Sequence, residues 1–140
     1  MKHFTILAAA VLVLLGFVFS AYAADAAKFT GKWINHRMFV EQDGEKMEVN
    51  LEEGAGSDDD LGHIEFKDGK MYQVRVPGDD AQAFTYKTEG EKLIVDIPEE
   101  ATEEGIVLAE VYFEGDDLVY VLVLEGEESG TMKNYYRKPK

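Results

Sequence analysis

Side chains that commonly perform catalysis are scarce in this sequence. The chain has no cysteine, and its only histidines are His3, His36 and His63. After residue 23 the only serines are Ser57 and Ser129, and neither lies in a strained nucleophile turn or beside a glycine motif that would stabilise an oxyanion. A glycine-rich phosphate loop is also absent from the sequence. These residues predict no catalytic site and no cofactor.

The run Asp58–Asp60 is the strongest candidate for metal chemistry, because clustered carboxylates bind hard cations such as calcium. The spacing does not fit an EF-hand loop. Counting from Asp58, position five is Gly62, position six is His63 and position twelve is Gly69, where that loop needs an acid, a glycine and a glutamate. We interpret the run as an acidic solvated loop without a metal, and the glutamates within 99–104 as a second solubilising loop.

The N-terminus has the layout of a secretory signal peptide. Lys2 precedes an apolar run over 6–19, and Ala21-Tyr22-Ala23 provides a cleavage signature. The apolar run is too short to cross a bilayer of roughly 30 Å as a helix. We therefore expect residues 1–23 to be a signal peptide, with a second cleavage site at 24–26. Residues 24–140 would form one periplasmic or secreted domain that is not held in a membrane.

The net charge of −14 limits the partners that this chain can have. Nucleic acids and anionic lipid surfaces are bound by Lys and Arg side chains that neutralise phosphates, and here acidic residues outnumber basic ones by 28 to 14. The charge excludes a nucleic-acid-binding function. It remains compatible with a cationic partner.

Short β-prone runs alternate with turn residues from Phe29 onward, and no run predicts a helix. The predicted turns include the two-residue pairs Asp43-Gly44 and Asp68-Gly69, which favour hairpins. In the strand after Asp68-Gly69, the pattern predicts that Tyr72, Val74 and Val76 face inward and that Gln73 and Arg75 face outward. We predict an all-β, antiparallel up-and-down meander of about eight strands that closes as a barrel. A β-sandwich is the alternative.

Three features of the sequence resemble a bacterial lipocalin-like domain, related to the calycin group. They are Gly31-Lys32-Trp33 at the start of the first strand, the succession of short meander strands, and Tyr135-Tyr136-Arg137 in the last strand. The resemblance implies that Trp33 plugs one end of the barrel. It also implies that Arg137 stacks across the indole ring as a cation over an aromatic face.

Our leading hypothesis for function is an exported binding module that holds a small apolar or aromatic ligand inside the barrel. Inward-facing aromatic side chains would supply the contact area. The candidate ligand-binding residues are Phe66, Tyr72, Phe84, Tyr86 and Tyr120. In the alternative interpretation the same residues fill the interior and leave no cavity.

The strands predicted at Ile106–Phe113 and Leu118–Leu124 are apolar on both faces. A strand with one face in solvent should instead alternate apolar and polar residues. We expect a second copy of the chain or another exported protein to cover the outer face, unless a sandwich layer or a loop does so. A second hypothesis for function is therefore an acidic protein-binding module, such as an inhibitor of a cationic exported enzyme like lysozyme. A third hypothesis for function is an enzyme that uses His36, His63 and the acidic loop, although the sequence suggests no reaction.

Overall fold

A computed structural model describes residues 27–127 and 129–140, so the predicted signal peptide at 1–23 lies outside the described residues. Ten strands form one antiparallel sheet. The strands are β1 (Gly31–Gln42), β2 (Glu45–Asn50), β3 (His63–Lys67), β4 (Lys70–Val74), β5 (Gln82–Phe84), β6 (Tyr86–Glu89), β7 (Lys92–Val95), β8 (Ile106–Glu114), β9 (Asp117–Leu124) and β10 (Gly130–Arg137). One short helix, α1 (Glu99–Glu103), and 3₁₀ turns at Ala27–Phe29, Leu51–Gly54 and Asp58–Asp60 complete the described elements.

The ten strands occupy eight positions around a nearly closed barrel, because two positions are each divided between two strands. β2 and β3 pair with successive halves of the same edge of β1, while β10 pairs with its other edge. β5 pairs with β4, and β6 pairs with β7. Only Thr85 separates β5 from β6, so this bent segment joins the two ends of the sheet. The predicted all-β antiparallel meander barrel is confirmed, and the sandwich alternative is not adopted.

The bend at Thr85 is held by hydrogen bonds to the residue that follows β7. The Asp96 backbone N–H donates to the Thr85 carbonyl oxygen at 2.9 Å, and the Thr85 hydroxyl donates to the Asp96 carboxylate. Phe84 and Tyr86, on either side of the bend, pack against the core of the barrel. The segment therefore switches from pairing with β4 to pairing with β7, while Phe84 and Tyr86 both stay packed against the core.

One end of the barrel is filled by aromatic rings. The indole N–H of Trp33 donates to the Phe29 carbonyl oxygen at 2.9 Å. The rings of Phe29 and Phe113 stack with their centroids 4.7 Å apart, and Trp33 lies against Phe113 at 5.5 Å. The 3₁₀ turn that carries Phe29 therefore closes this end.

The predicted pairing of Trp33 with Arg137 is wrong. The cation over the indole ring is Lys138, whose Nζ lies 3.9 Å from the ring centroid. Successive side chains of a strand point to opposite faces. Because Tyr136 is buried inside the barrel, Arg137 must point outward, and its guanidinium instead binds Glu52 and Asp58.

The predicted inward face of β4 is also wrong. The Asp68-Gly69 turn pairs Phe66 with Met71 and Glu65 with Tyr72. Residues that pair across an antiparallel ladder share a face, and both Phe66 and Met71 are buried in the core. Tyr72 therefore lies on the outer face, where Lys67 Nζ is 5.1 Å from its ring centroid.

The acidic segment near residue 100 forms the short helix α1, although no helix was predicted. Pro98 occupies the N-cap position with an extended backbone, and Glu99 and Glu100 lie in the first turn, where negative side chains are favoured. Gly105 then adopts a φ of +96° beyond the helix. α1 is therefore a compact connection between β7 and β8.

Side chains from the same barrel cover part of the outer face of β8 and β9, whereas Val107 of β8 is 48% exposed. Val119 is fully buried there, paired with Tyr112 on one side and Tyr135 on the other. The guanidinium of Arg37 lies 3.9 Å from the Tyr135 ring centroid and forms an ion pair with Glu48. Long neighbouring side chains thus bury this valine within the chain itself, and the protein partner predicted for this face stays a prediction.

Candidate functional site

A cavity of about 610 Å³ lies in the barrel at the end opposite Trp33. Its mouth is bordered by α1, by Leu51 and Gly62 at the two ends of the β2–β3 loop, and by Gln82 at the start of β5. Pockets for small molecules in proteins typically measure roughly 300–1,000 Å³. The cavity is therefore large enough for a small ligand.

The side walls of the cavity are mainly apolar and come from most of the strands. Met38 of β1 and Met132 of β10 contribute flexible thioether side chains that adapt to the shape of a ligand. The remaining large apolar side chains around the cavity are Leu51, Phe84, Ile97, Ile106, Leu122 and Leu124. Such walls favour the burial of a hydrocarbon or aromatic group.

The cavity also has a polar group of residues on β4, β9 and β10. The hydroxyl of Tyr136, which is 2% exposed, lies within hydrogen-bonding reach of the Gln73 side chain. Tyr120 is 4% exposed, and no hydrogen bond to its hydroxyl occurs within the described residues. Burial raises the pKa of Tyr120 to about 12 and raises the pKa of Tyr136 further above its usual value. Both tyrosines are therefore neutral hydroxyl groups at neutral pH.

Asn35 and Asn134 form a carboxamide pair beside these tyrosines. Their amide groups approach to 3.3 Å. With its amide oxygen and nitrogen exchanged, Asn35 donates to the carbonyl oxygens of Arg37 and Tyr135 at 3.1 and 3.0 Å. This orientation therefore gives the Asn35 amide hydrogen-bond partners at the β-bulge between Asn35 and Arg37. Asn134 is 9% exposed and lines the cavity.

Arg75 is the only Lys or Arg among the described residues that line the cavity. It follows β4 directly, and it forms no ion pair within the described residues. Its charge lowers the pKa of both Tyr120 and Tyr136, against the larger opposite effect of burial. The acidic residues Asp96, Glu100 and Glu104 border the cavity near α1. Among the described residues, the mouth thus combines one guanidinium that has no ion-pair partner with several carboxylates.

The structure separates the five predicted ligand-binding aromatics into three groups. Phe84 and Tyr120 line the cavity. Phe66 and Tyr86 belong to the packed core, with their ring centroids 5.7 Å apart. Tyr72 lies on the outer face of β4 and takes no part in either.

Sequence reasoning missed Gln73, Arg75, Asn134 and Tyr136 as cavity residues. For β4 a signal was present in the sequence, because the predicted two-residue turn at Asp68-Gly69 requires Met71 to share the face of Phe66. Gln73 and Arg75 then follow on the inner side. The opposite side of the strand also carries alternating apolar residues, Tyr72, Val74 and Val76. This pattern led to the wrong prediction of the inward face.

The other chemical candidates are occupied by local structural contacts. Ser57 caps the 3₁₀ turn Asp58–Asp60, with its hydroxyl accepting from the Asp59 N–H at 3.3 Å. Asp60 in turn accepts from the Gly56 and Ser57 N–H groups. His36 lies 3.2 Å from Asp117, and burial lowers the pKa of His63. Within 27–127 and 129–140, no group of three or more His, Asp or Glu side chains is arranged to hold a metal ion.

Asp58 forms an ion-pair cluster rather than a solvated loop. Its carboxylate binds the Arg137 guanidinium at 2.8 Å and accepts from the Lys140 backbone N–H at 2.8 Å. Glu52 also binds Arg137. The cluster ties the β2–β3 loop to the C-terminal segment, and the ends of that loop border the cavity.

Among the described residues, no helix has both the length and the apolar character needed to cross a membrane. Comparison with protein-family models and with curated proteins finds no match for this chain. The cavity is therefore the feature of this molecule from which a function can be inferred.

Proposed function

We propose that this chain is a binding module of lipocalin-like type that holds a small, mainly apolar ligand in the open end of its barrel. The supporting observation is the cavity of about 610 Å³ with apolar walls, at the end opposite the aromatic plug. A scaffold without a binding role would be expected to fill this space with side chains, as Phe29, Trp33 and Phe113 fill the interior at the other end. The groove of about 630 Å³ at that end is bordered by charged residues such as Lys28 and Lys92, and Trp33 does not line it.

Export remains part of this proposal. The signal-peptide pattern at 1–23 predicts it, and a carrier outside the cytoplasm would bind an apolar compound that diffuses poorly in water. No residue pattern in the cavity suggests a reaction, so the proposal is binding without chemistry.

The proposal predicts that the protein binds a neutral apolar fluorophore, and that filling the cavity abolishes binding. Leu122 lies half-buried on the inner face of β9, and Val123 lies half-buried on its outer face. We expect Leu122→Trp to reduce the affinity for N-phenylnaphthylamine by about tenfold or more, because an indole would occupy space needed by the ligand. Fluorescence titration of purified residues 24–140 measures the effect.

Val123→Trp is the matched control, since it adds the same ring to the neighbouring residue outside the barrel. It should bind the fluorophore as the wild type does. Circular dichroism and thermal melting of both variants establish that they are folded. Failure of the wild type to bind the fluorophore, or equal loss of affinity in both folded variants, would contradict the proposal.

A further inference from the structure

We propose that the cavity selects amphiphiles with a carboxylate head group, with Arg75 as the counter-charge and the hydroxyls of Tyr120 and Tyr136 as hydrogen-bond donors. This inference rests on the proposed function and specifies the chemical class of the ligand. A fatty acid and an aromatic acid share this head-group chemistry.

Arg75 is the residue of the cavity that can bind an anionic head group. A guanidinium presents several N–H donors and no acceptor, and it binds carboxylates through paired hydrogen bonds. Within the described residues Arg75 has no carboxylate partner, although acidic side chains are abundant in this chain. By contrast, Arg37 and Arg137 are both engaged in ion pairs. Arg75 is therefore the described arginine that remains open to a ligand carboxylate.

Neutral hydrogen-bond donors converge on the region beside Arg75. Tyr120 and Tyr136 come from neighbouring strands, and Arg75 is close enough to both hydroxyls to affect their pKa values. Tyr120 as a whole is only 4% exposed, and its hydroxyl makes no hydrogen bond within the described residues. The hydroxyl is not one of the fully buried atoms without a partner, and Tyr120 lines the cavity, so its O–H group can donate to a ligand oxygen that enters there.

The carboxylates at the mouth do not neutralise the positive charge of Arg75 by direct contact. Asp96 accepts a hydrogen bond from the Thr85 hydroxyl, while Glu100 and Glu104 are exposed on and after α1. None of the three forms an ion pair with Arg75. Arg75 is itself exposed, but a ligand carboxylate in direct contact with its guanidinium is much closer than the acidic side chains of the border, and Coulomb interaction weakens with distance. The local contact should therefore outweigh the acidic border.

Displacement of bound N-phenylnaphthylamine by three ligands with the same hydrocarbon chain tests the inference. Decanoate carries a carboxylate, decanol a neutral hydroxyl and decylamine an ammonium group. We expect decanoate to bind about tenfold more tightly than decanol, because a charge-assisted hydrogen bond is worth about this factor. Decylamine should bind most weakly.

Arg75→Gln should reduce decanoate affinity to that of decanol and leave decanol affinity unchanged. Arg37→Gln is the matched control, because Arg37 stacks on Tyr135 at the outer face. It should preserve the preference for decanoate. The inference is overturned if the wild type binds decanol or decylamine at least as well as decanoate, or if both variants retain the preference. Failure of the wild type to bind the fluorophore would instead contradict the proposed function itself.

Discussion

At the scale of single residues, Arg137 and Asp58 show how a chain without disulfides fixes a long surface loop. The Arg137 side chain is 18% exposed and contacts both Glu52 and Asp58, which lie within the β2–β3 connection. Hydrogen bonding to Arg137, and then to the Lys140 backbone, lowers the pKa of Asp58 to about 2 from its usual 3.8. The interaction thus joins the loop to the last strand.

The lowered pKa of Asp58 predicts a dependence of stability on pH. The folded state favours the ionised carboxylate, so this interaction stabilises the fold fully above about pH 4 and is lost as the pH falls towards 2. Asp58→Asn should lower the melting temperature at neutral pH. The difference from wild type should shrink below about pH 4 and vanish near pH 2. Thermal melts across this range measure it.

Asp59→Asn serves as the control, because Asp59 is exposed and forms no ion pair in the described structure. Its melting temperature should follow the wild type at every pH. A pH-independent difference between wild type and Asp58→Asn would show that the carboxylate charge is not the stabilising feature.

At the scale of elements, the orientation of β4 determines which side chains reach the cavity. Met71 is fully buried, and its pairing with Phe66 and Phe84 places all three inside the barrel. Gln73 follows on the same face. A shift of this strand by one residue would place Tyr72 inside and would remove Gln73 from Tyr136.

This orientation predicts unequal effects of two methionine substitutions. Met71→Ala should lower the free energy of unfolding by about 2–5 kcal/mol, because it leaves a void in the packed core. Met47→Ala, in β2, should change it by less than about 0.5 kcal/mol, because Met47 is 56% exposed. Urea unfolding measures both values. Equal effects of the two substitutions would contradict the described face of β4.

Turns and strands were largely predictable because their signals are local. Asp43 and Asp68 adopt a φ of 53° before a glycine, as expected for two-residue hairpin turns. The division of β2 from β3 and the change of partner at Thr85 were not predictable in this way. They depend on pairing between distant segments, which no local pattern specifies.

At the scale of the whole molecule, the barrel differs between its two ends. The aromatic plug at Phe29, Trp33 and Phe113 gives one end a packed interior. The other end is open, because α1 and the β2–β3 loop border it without filling it. The sequence predicted the barrel, but the remaining volume depends on how all the side chains pack. For this reason the cavity and its polar residues could be identified only from the structure.

The net charge of −14 acts on every ligand that approaches this barrel. Its field is long-ranged at low ionic strength, with a screening length of about 30 Å at 0.01 M salt and about 8 Å at 0.15 M. A carboxylate ligand is repelled by the molecule as a whole and attracted by Arg75 at close range. Added salt should weaken the distant repulsion more than the close attraction.

We therefore expect decanoate affinity to rise a few-fold between about 0.01 M and 0.15 M sodium chloride, while decanol affinity stays nearly constant. Titrations with the same fluorophore at both concentrations measure the two dependences, and decanol controls for the effect of salt on apolar burial. A fall in decanoate affinity with salt would contradict a carboxylate held against a repulsive field. Binding of a cationic protein such as lysozyme should weaken over the same range. Such weakening, together with an absence of decanoate binding, would favour the acidic protein-binding module over the carrier.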